Sequence, residues 1–165
     1  IGMVQPRENP NGKKDDCLQQ IGCAGRITSF SETEDGRYLI TLSGISRFRV
    51  TQTNQGFEPY LNADVSWSSF KSDLGKKELD EQFDRPQFLS ILSRFFKASS
   101  LSTDWDSMKD ADEELLINSL AMLCPFGPAE KQALLEAPDL ANRRETLVTL
   151  MEFALAGDST EDPMQ

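Results

Sequence analysis

Histidine is absent from this 165-residue chain, and that absence removes more chemistry than any residue present supplies. Without imidazole there is no Ser-His-Asp triad, no Cys-His nucleophile pair, and none of the commonest zinc ligand. Cysteine is scarce as well. Cys17, Cys23 and Cys124 are odd in number and contain no C-x-x-C, so neither a disulfide framework nor a thiol redox motif is expected. A reducing, cytoplasmic compartment suits them best. Cys124 ends an apolar helical run, where a thiol fills core. Long apolar stretches are missing too: the longest, Leu120 to Cys124, is far short of the ~20 residues that span a bilayer.

Phosphate-binding loops are missing in the same way. The ten glycines are scattered among turns, and neither G-x-x-x-x-G-K-[ST] nor G-x-G-x-x-G occurs. Ser43-Gly44-Ile45-Ser46 resembles a nucleophile elbow only superficially, because Phe48 stands where G-x-S-x-G needs its second glycine and no base is available. A Ser-Lys dyad would need a buried lysine, and Lys97 is read as a solvated lysine at a helix end. Asp110, Asp112, Glu113 and Glu114 lack the glycine and alternate spacing of an EF-hand loop, so they read as a solvated acidic first turn. No metal, cofactor or catalytic residue is assigned.

Negative charge is plentiful, with a formal net charge of −10. Residues 1–83 carry 10 cationic and 12 anionic side chains, whereas residues 84–165 carry 7 and 15. An acidic surface repels phosphate backbones, which argues against nucleic acid as a partner.

What is present is strong patterning. Cys23–Val50 reads as a β-meander: a strand, a hairpin turn at Asp35-Gly36 of the type I′ kind, a strand with Tyr38, Ile40 and Leu42 on one face, a tight turn at Gly44, and a strand. In that last strand Phe48 and Val50 share a face and Arg47 and Arg49 take the other. Ile1–Val4 reads as a strand, Pro6–Asp16 as a polar surface loop, and Asn54-Gln55-Gly56 as a turn. Tyr60–Phe70 alternates Leu61, Ala63, Val65 and Trp67 against polar residues, as a half-buried strand should.

Helical spacing follows. Asp84 and Pro86 open a helix whose Phe88, Ile91, Leu92 and Phe95 form one stripe. A second begins near Asp110 and is apolar nearly all round from Leu115 to Cys124, which predicts a buried helix ended by Pro125. A short third covers Ala129–Leu135. A fourth follows Pro138-Asp139 and stops at Gly157. The divisions expected are a β lobe over 1–70, a joint over 71–84, a helical lobe over 85–157 and a tail over 158–165. Strands followed by helices make this an α+β protein.

Several segments together resemble the N-terminal, substrate-binding domain of the Lon protease family. They are Gly22-Cys23-Ala24-Gly25-Arg26-Ile27, Asp35-Gly36-Arg37-Tyr38, Leu42–Val50 and, in the helical half, Pro128–Glu136 followed by Arg143-x-x-x-Leu147. The resemblance implies a PUA-like twisted antiparallel β pseudobarrel followed by a bundle of about four helices, with further strands and a Pro-rich leader preceding Ile1. It also implies a non-catalytic module, without the family's ATPase and protease modules, that binds unfolded or exposed polypeptide. It would act in protein quality control, with a protease in trans as a further partner. The residues proposed to hold polypeptide are Arg47, Arg49, Phe57, Tyr60, Trp67 and Phe70, the arginines and aromatics of the β lobe. The alternative is an RNA- or small-ligand-binding PUA-like protein, with Arg26, Arg37, Arg47 and Arg49 as a local basic patch.

Overall fold

A computed structural model describes residues 1–7, 18–54 and 59–158. It divides into two compact units, Ile1–Lys76 and Lys77–Gln165, with antiparallel strands in the first and helices in the second.

In the first unit, β1 (Gly2–Met3), β2 (Ile21–Glu32), β3 (Tyr38–Asn54) and β4 (Asn62–Ser66) form a sheet in that order. The expected tight turn at Gly44 is not made. β3 runs on through it for 17 residues, because the chain absorbs Ile45 as an extra residue between the pairs Gly25–Gly44 and Ala24–Ser46. Such a bulge bends and twists a strand without ending it. The β2–β3 hairpin also differs from the type I′ expectation, since only Gly36, at φ +76°, leaves the left half of the Ramachandran map. Gly36 N–H donates to the Thr33 carbonyl (3.0 Å) and Thr33 N–H to the Arg37 carbonyl (2.8 Å). The turn is therefore a longer one closed by a glycine bulge. Asp35 favours it by accepting from Thr33 Oγ1 and Arg37 Nε.

The expected long strand over Tyr60–Phe70 is shorter. β4 stops at Ser66, and Ser68–Leu74 coils into a 3-10 helix that carries Phe70 inward. Close approach of β1 to the sheet depends on Gly22. A Cβ there would lie 2.6 Å from the Met3 carbonyl and 2.9 Å from Phe48 Cζ, so this position has no room for a side chain.

Among the described residues the second unit holds five helices, one more than expected: α1 (Arg85–Ala98), α2 (Trp105–Asp110), α3 (Glu113–Leu123), α4 (Pro128–Glu136) and α5 (Leu140–Asp158). Ser99, Ser100, Ser102 and Thr103 follow α1, and Asp104 then caps α2 by accepting from the N–H groups of Asp106 and Ser107. A six-residue helix is too short to show periodicity, and its cap at Asp104 is not singled out by the sequence reading. Asp84 and Asp112 cap α1 and α3 in the same manner. The core gathers Leu92, Ile117, Leu120, Cys124, Leu134, Leu140, Leu147 and Met151, all essentially solvent-free. Contrary to expectation, α3 is not buried all round: Leu115, Met122 and Leu123 are exposed while Leu116, Ile117 and Leu120 face the core.

Three arginines organise this unit through polar contacts. Arg143 donates to the Leu134 carbonyl of α4 (3.2 Å) and to Asn118 Oδ1 of α3 (2.7 Å), tying both to α5. Arg85 donates to the carbonyls of Met108, Lys109 and Ala111 at the end of α2. Arg144 pairs with buried Asp80.

Candidate functional site

The candidate residues all fall in the β unit, and the structure sorts them into inner and outer groups. Arg47 is 5% exposed, against an expected solvent-facing arginine. Its Nη2 and Nε donate to Asp73 Oδ1 (2.7 Å) and Oδ2 (2.9 Å), and its main-chain N–H donates to Oδ2 (2.8 Å). Its guanidinium carbon lies 4.4 Å from the centre of the Phe70 ring. The 3-10 helix brings Asp73 and Phe70 to this place, and the fork geometry of arginine matches the carboxylate. Arg47 and Phe70 thus build the site from within.

Arg49, Tyr60 and Trp67 are exposed. Arg49 Nη1 donates to Gln20 Oε1 (3.0 Å), leaving the rest of its side chain at the surface. Trp67 meets buried Phe48 edge-on, with ring centres 5.6 Å apart, and keeps 43% of its surface open. An indole held on one side and open on the other suits an anchoring role. Tyr60, 63% exposed, and Leu61 precede β4, and Trp67 follows it. β4 is the last strand of the sheet among the described residues, so its outer main-chain groups form an open edge. Phe57 lies outside the described residues.

The basic patch imagined for a nucleic-acid ligand is not assembled. Arg47 is buried against Asp73, and Arg37 is engaged by Asp35 at 2.6 Å. That pairing, with a further bond from Thr33, holds the Asp35 carboxyl below its ordinary range.

Sequence reasoning missed one surface. The far part of the β2–β3 hairpin is a two-stranded ribbon exposing Ile27, Phe30, Tyr38, Leu39 and Ile40. Phe30 and Tyr38 stack with ring centres 5.0 Å apart. Alternation announced the strands, but alternation alone cannot report that their apolar side stays exposed among the described residues.

Among the described residues no group of three or more Cys, Asp or Glu is placed to hold a metal ion. Burial pushes the Cys124 thiol up to about 11 and also raises Cys23, in each case away from nucleophilic thiolate. No helix is long and apolar enough among the described residues to cross a membrane.

An antiparallel sheet followed in sequence by a helical unit, with exposed aromatics at a sheet edge, defines an α+β protein with a surface suited to binding. The family profile of the substrate-binding domain of the ATP-dependent protease La (Lon) matches residues 1–152. The chain belongs to that family. Similar folds occur in the Lon N-terminal domain protein of Xanthomonas campestris, at TM-score 0.54 and 22% identity over 80% of this chain and 68% of that one. The N-terminal domain of Lon protease from the Mycobacterium avium complex is another, at TM-score 0.59 and 15% identity over 85% and 74%. No curated protein matches at a significant level. The family's substrate-binding domain is a non-catalytic module, and these 165 residues include neither the ATPase nor the protease.

Proposed function

We propose that this chain recognises extended, exposed polypeptide and serves protein quality control in the cytoplasm, handing clients to a protease in trans and catalysing nothing itself. Its sheet is read as part of a PUA-like pseudobarrel. The observation that carries this reading is the open edge of β4 flanked by Tyr60, Leu61 and Trp67. A client strand adds to such an edge through main-chain hydrogen bonds, while aromatic anchors take alternate side chains. Main-chain bonding is indifferent to sequence, so selectivity is loose. Ordering an extended client costs conformational entropy, so affinity is modest.

Membership of a substrate-binding family supports the reading, as does the dispersal of the arginines that an RNA site would need. Titration calorimetry tests it with one client protein in native and in permanently unfolded form. The unfolded form is expected to bind, and the paired substitution Tyr60→Ala with Trp67→Ala to weaken it about tenfold or more, as loss of two anchors should. Equal binding of native and unfolded client refutes the proposal.

A further inference from the structure

The β2–β3 ribbon is a second surface, separate from the β4 edge, and its composition points to a particular kind of partner. Residues directly opposite in an antiparallel pair share a face. The pairs Ile27–Leu42, Phe30–Ile40 and Glu32–Tyr38 therefore line one side, with Thr28 taken up as a bulge, while Ser29–Thr41 and Ser31–Leu39 line the other. The first side carries five bulky apolar side chains. Phe30 and Tyr38, at 62% and 61% exposed, stack on each other there. An isolated two-stranded ribbon is marginal in water, and one bearing an open apolar face gains most from being covered.

Charge decides what covers it. Of the acids at this end, Asp35 is neutralised by Arg37. Glu32 sits on the apolar face beside Tyr38, and Glu34 lies in the turn. Both are exposed, and neither is paired with a cation among the described residues. Arg26, opposite Ser43, alternates to the other side. The face is thus aromatic and aliphatic with an uncompensated acidic end, on a chain of net charge −10. The outer edge of β2 from Arg26 to Glu32 also has no strand partner among the described residues, since β1 reaches only Cys23 and Ala24.

We propose that this ribbon docks extended polypeptide segments in which bulky apolar residues are followed by lysine or arginine, the apolar residues lying on Phe30, Tyr38 and Ile40 and the cations meeting Glu32 and Glu34. The proposal shares with the preceding reading the premise that the partner is a polypeptide, but it places contact on a different surface and adds a charge preference. A second copy of this chain is a poorer occupant, because it brings the same acids to the same face.

Three fluorescent peptides with one apolar core, flanked by Lys, Gln or Glu, test it by anisotropy on the full chain. The Lys-flanked peptide is expected to bind about tenfold tighter than the Glu-flanked one at low salt, from two exposed ion pairs gained against two repulsions. The difference shrinks as salt rises. Glu32→Lys with Glu34→Lys reverses the order, Phe30→Ser with Tyr38→Ser weakens all three peptides, and Trp67→Ala leaves the order unchanged. Equal affinity for the three peptides overturns the charge preference while leaving strand-edge recognition standing. A preference that survives both ribbon variants does the same. Failure of every peptide to bind overturns both readings. A dimer seen by sedimentation velocity and abolished by Phe30→Ser with Tyr38→Ser gives the face to a second copy and overturns the proposal.

Discussion

Removing the Asp73 carboxylate while Arg47 stays in place gives the sharpest test of how the β unit is held together. The Arg47 and Asp73 side chains are 6% and 13% exposed and joined by two side-chain hydrogen bonds, with a third from the Arg47 main chain. Charges about 4 Å apart at an effective dielectric near 20 attract by roughly 4 kcal/mol. That attraction is offset by the cost of desolvating both groups, so the intact pair contributes little net stability. Breaking it is another matter, because the guanidinium stays buried beside Phe70 and loses the Asp73 carboxylate that takes its fork. Asp73→Ala is therefore expected to destabilise the β unit by about 3–5 kcal/mol. For a unit of this size that is a fall in Tm of at least ~10 °C.

Arg47→Met with Asp73→Ala should be the milder change, since an apolar side chain replaces the buried cation. Trp67, in contact with Phe48, reports locally once Trp105, the other tryptophan, is changed to Phe. The expected readout is a double-mutant cycle in urea with a coupling of about 2 kcal/mol or more. The main-chain bond of Arg47 is lost in both variants that lack Asp73 and cancels from the cycle. A coupling below about 0.5 kcal/mol, or Asp73→Ala unfolding at the wild-type midpoint, refutes this account of the pair.

Three other outcomes follow from the packing. Gly22→Ala forces a methyl group against the Met3 carbonyl and Phe48; it should cost about 1–3 kcal/mol and raise hydrogen-exchange rates in β1 and its partners, with unchanged exchange counting against the steric argument. Cys124, with its thiol raised by burial to about 11, has roughly one thiolate in a thousand at pH 8, so it should resist a disulfide reagent until urea unfolds the helical unit. Asp139 caps α5 by accepting from the Asn142 N–H (2.8 Å), and its carboxyl is held below the ordinary 3.8 chiefly by that bond and by the Asn142 side chain. A depressed carboxylate contributes stability above its unfolded pKa and loses it as pH falls through the folded one. Asp139→Ala should therefore cost about 1 kcal/mol near neutral pH and converge with wild type below pH 3.8 in acid melts.

Much of this fold was legible because its devices are local. Asp84, Asp112 and Asp139 signal helix starts, Pro125 a stop, and the i, i+3, i+4, i+7 spacing of Phe88, Ile91, Leu92 and Phe95 a core stripe that the structure buries. What escaped was non-local. Whether Gly44 ends a strand or tolerates a bulge depends on its partner Gly25, on the other strand of the hairpin. Arg47 reads as a surface residue until a carboxylate 26 positions later folds back onto it. Exposure is harder still to read: Leu115, Met122 and Leu123 are as apolar as their buried neighbours, and only tertiary packing tells them apart. The candidate residues Trp67 and Tyr60 were visible as aromatics, whereas the ribbon face was hidden inside an ordinary strand pattern.

The two units invest their apolar residues differently, and this difference bears on function. The helical unit gathers thirteen of its described residues into one buried core. Among the described residues of the β unit, the buried apolar side chains are Ile21, Phe48 and Phe70, while its aromatics Phe30, Tyr38, Tyr60 and Trp67 remain at the surface. Core residues supply stability, roughly 1.5–3 kcal/mol for each large side chain buried, and an exposed one forgoes it. On the proposed function, the apolar surface left open among these described residues regains that energy when a client covers it. Because the proposed contacts are spread over a strand edge and a ribbon rather than one deep pocket, no single client side chain would dictate fit. Many sequences can then recover part of the energy, which is the selectivity a receptor for non-native chains requires.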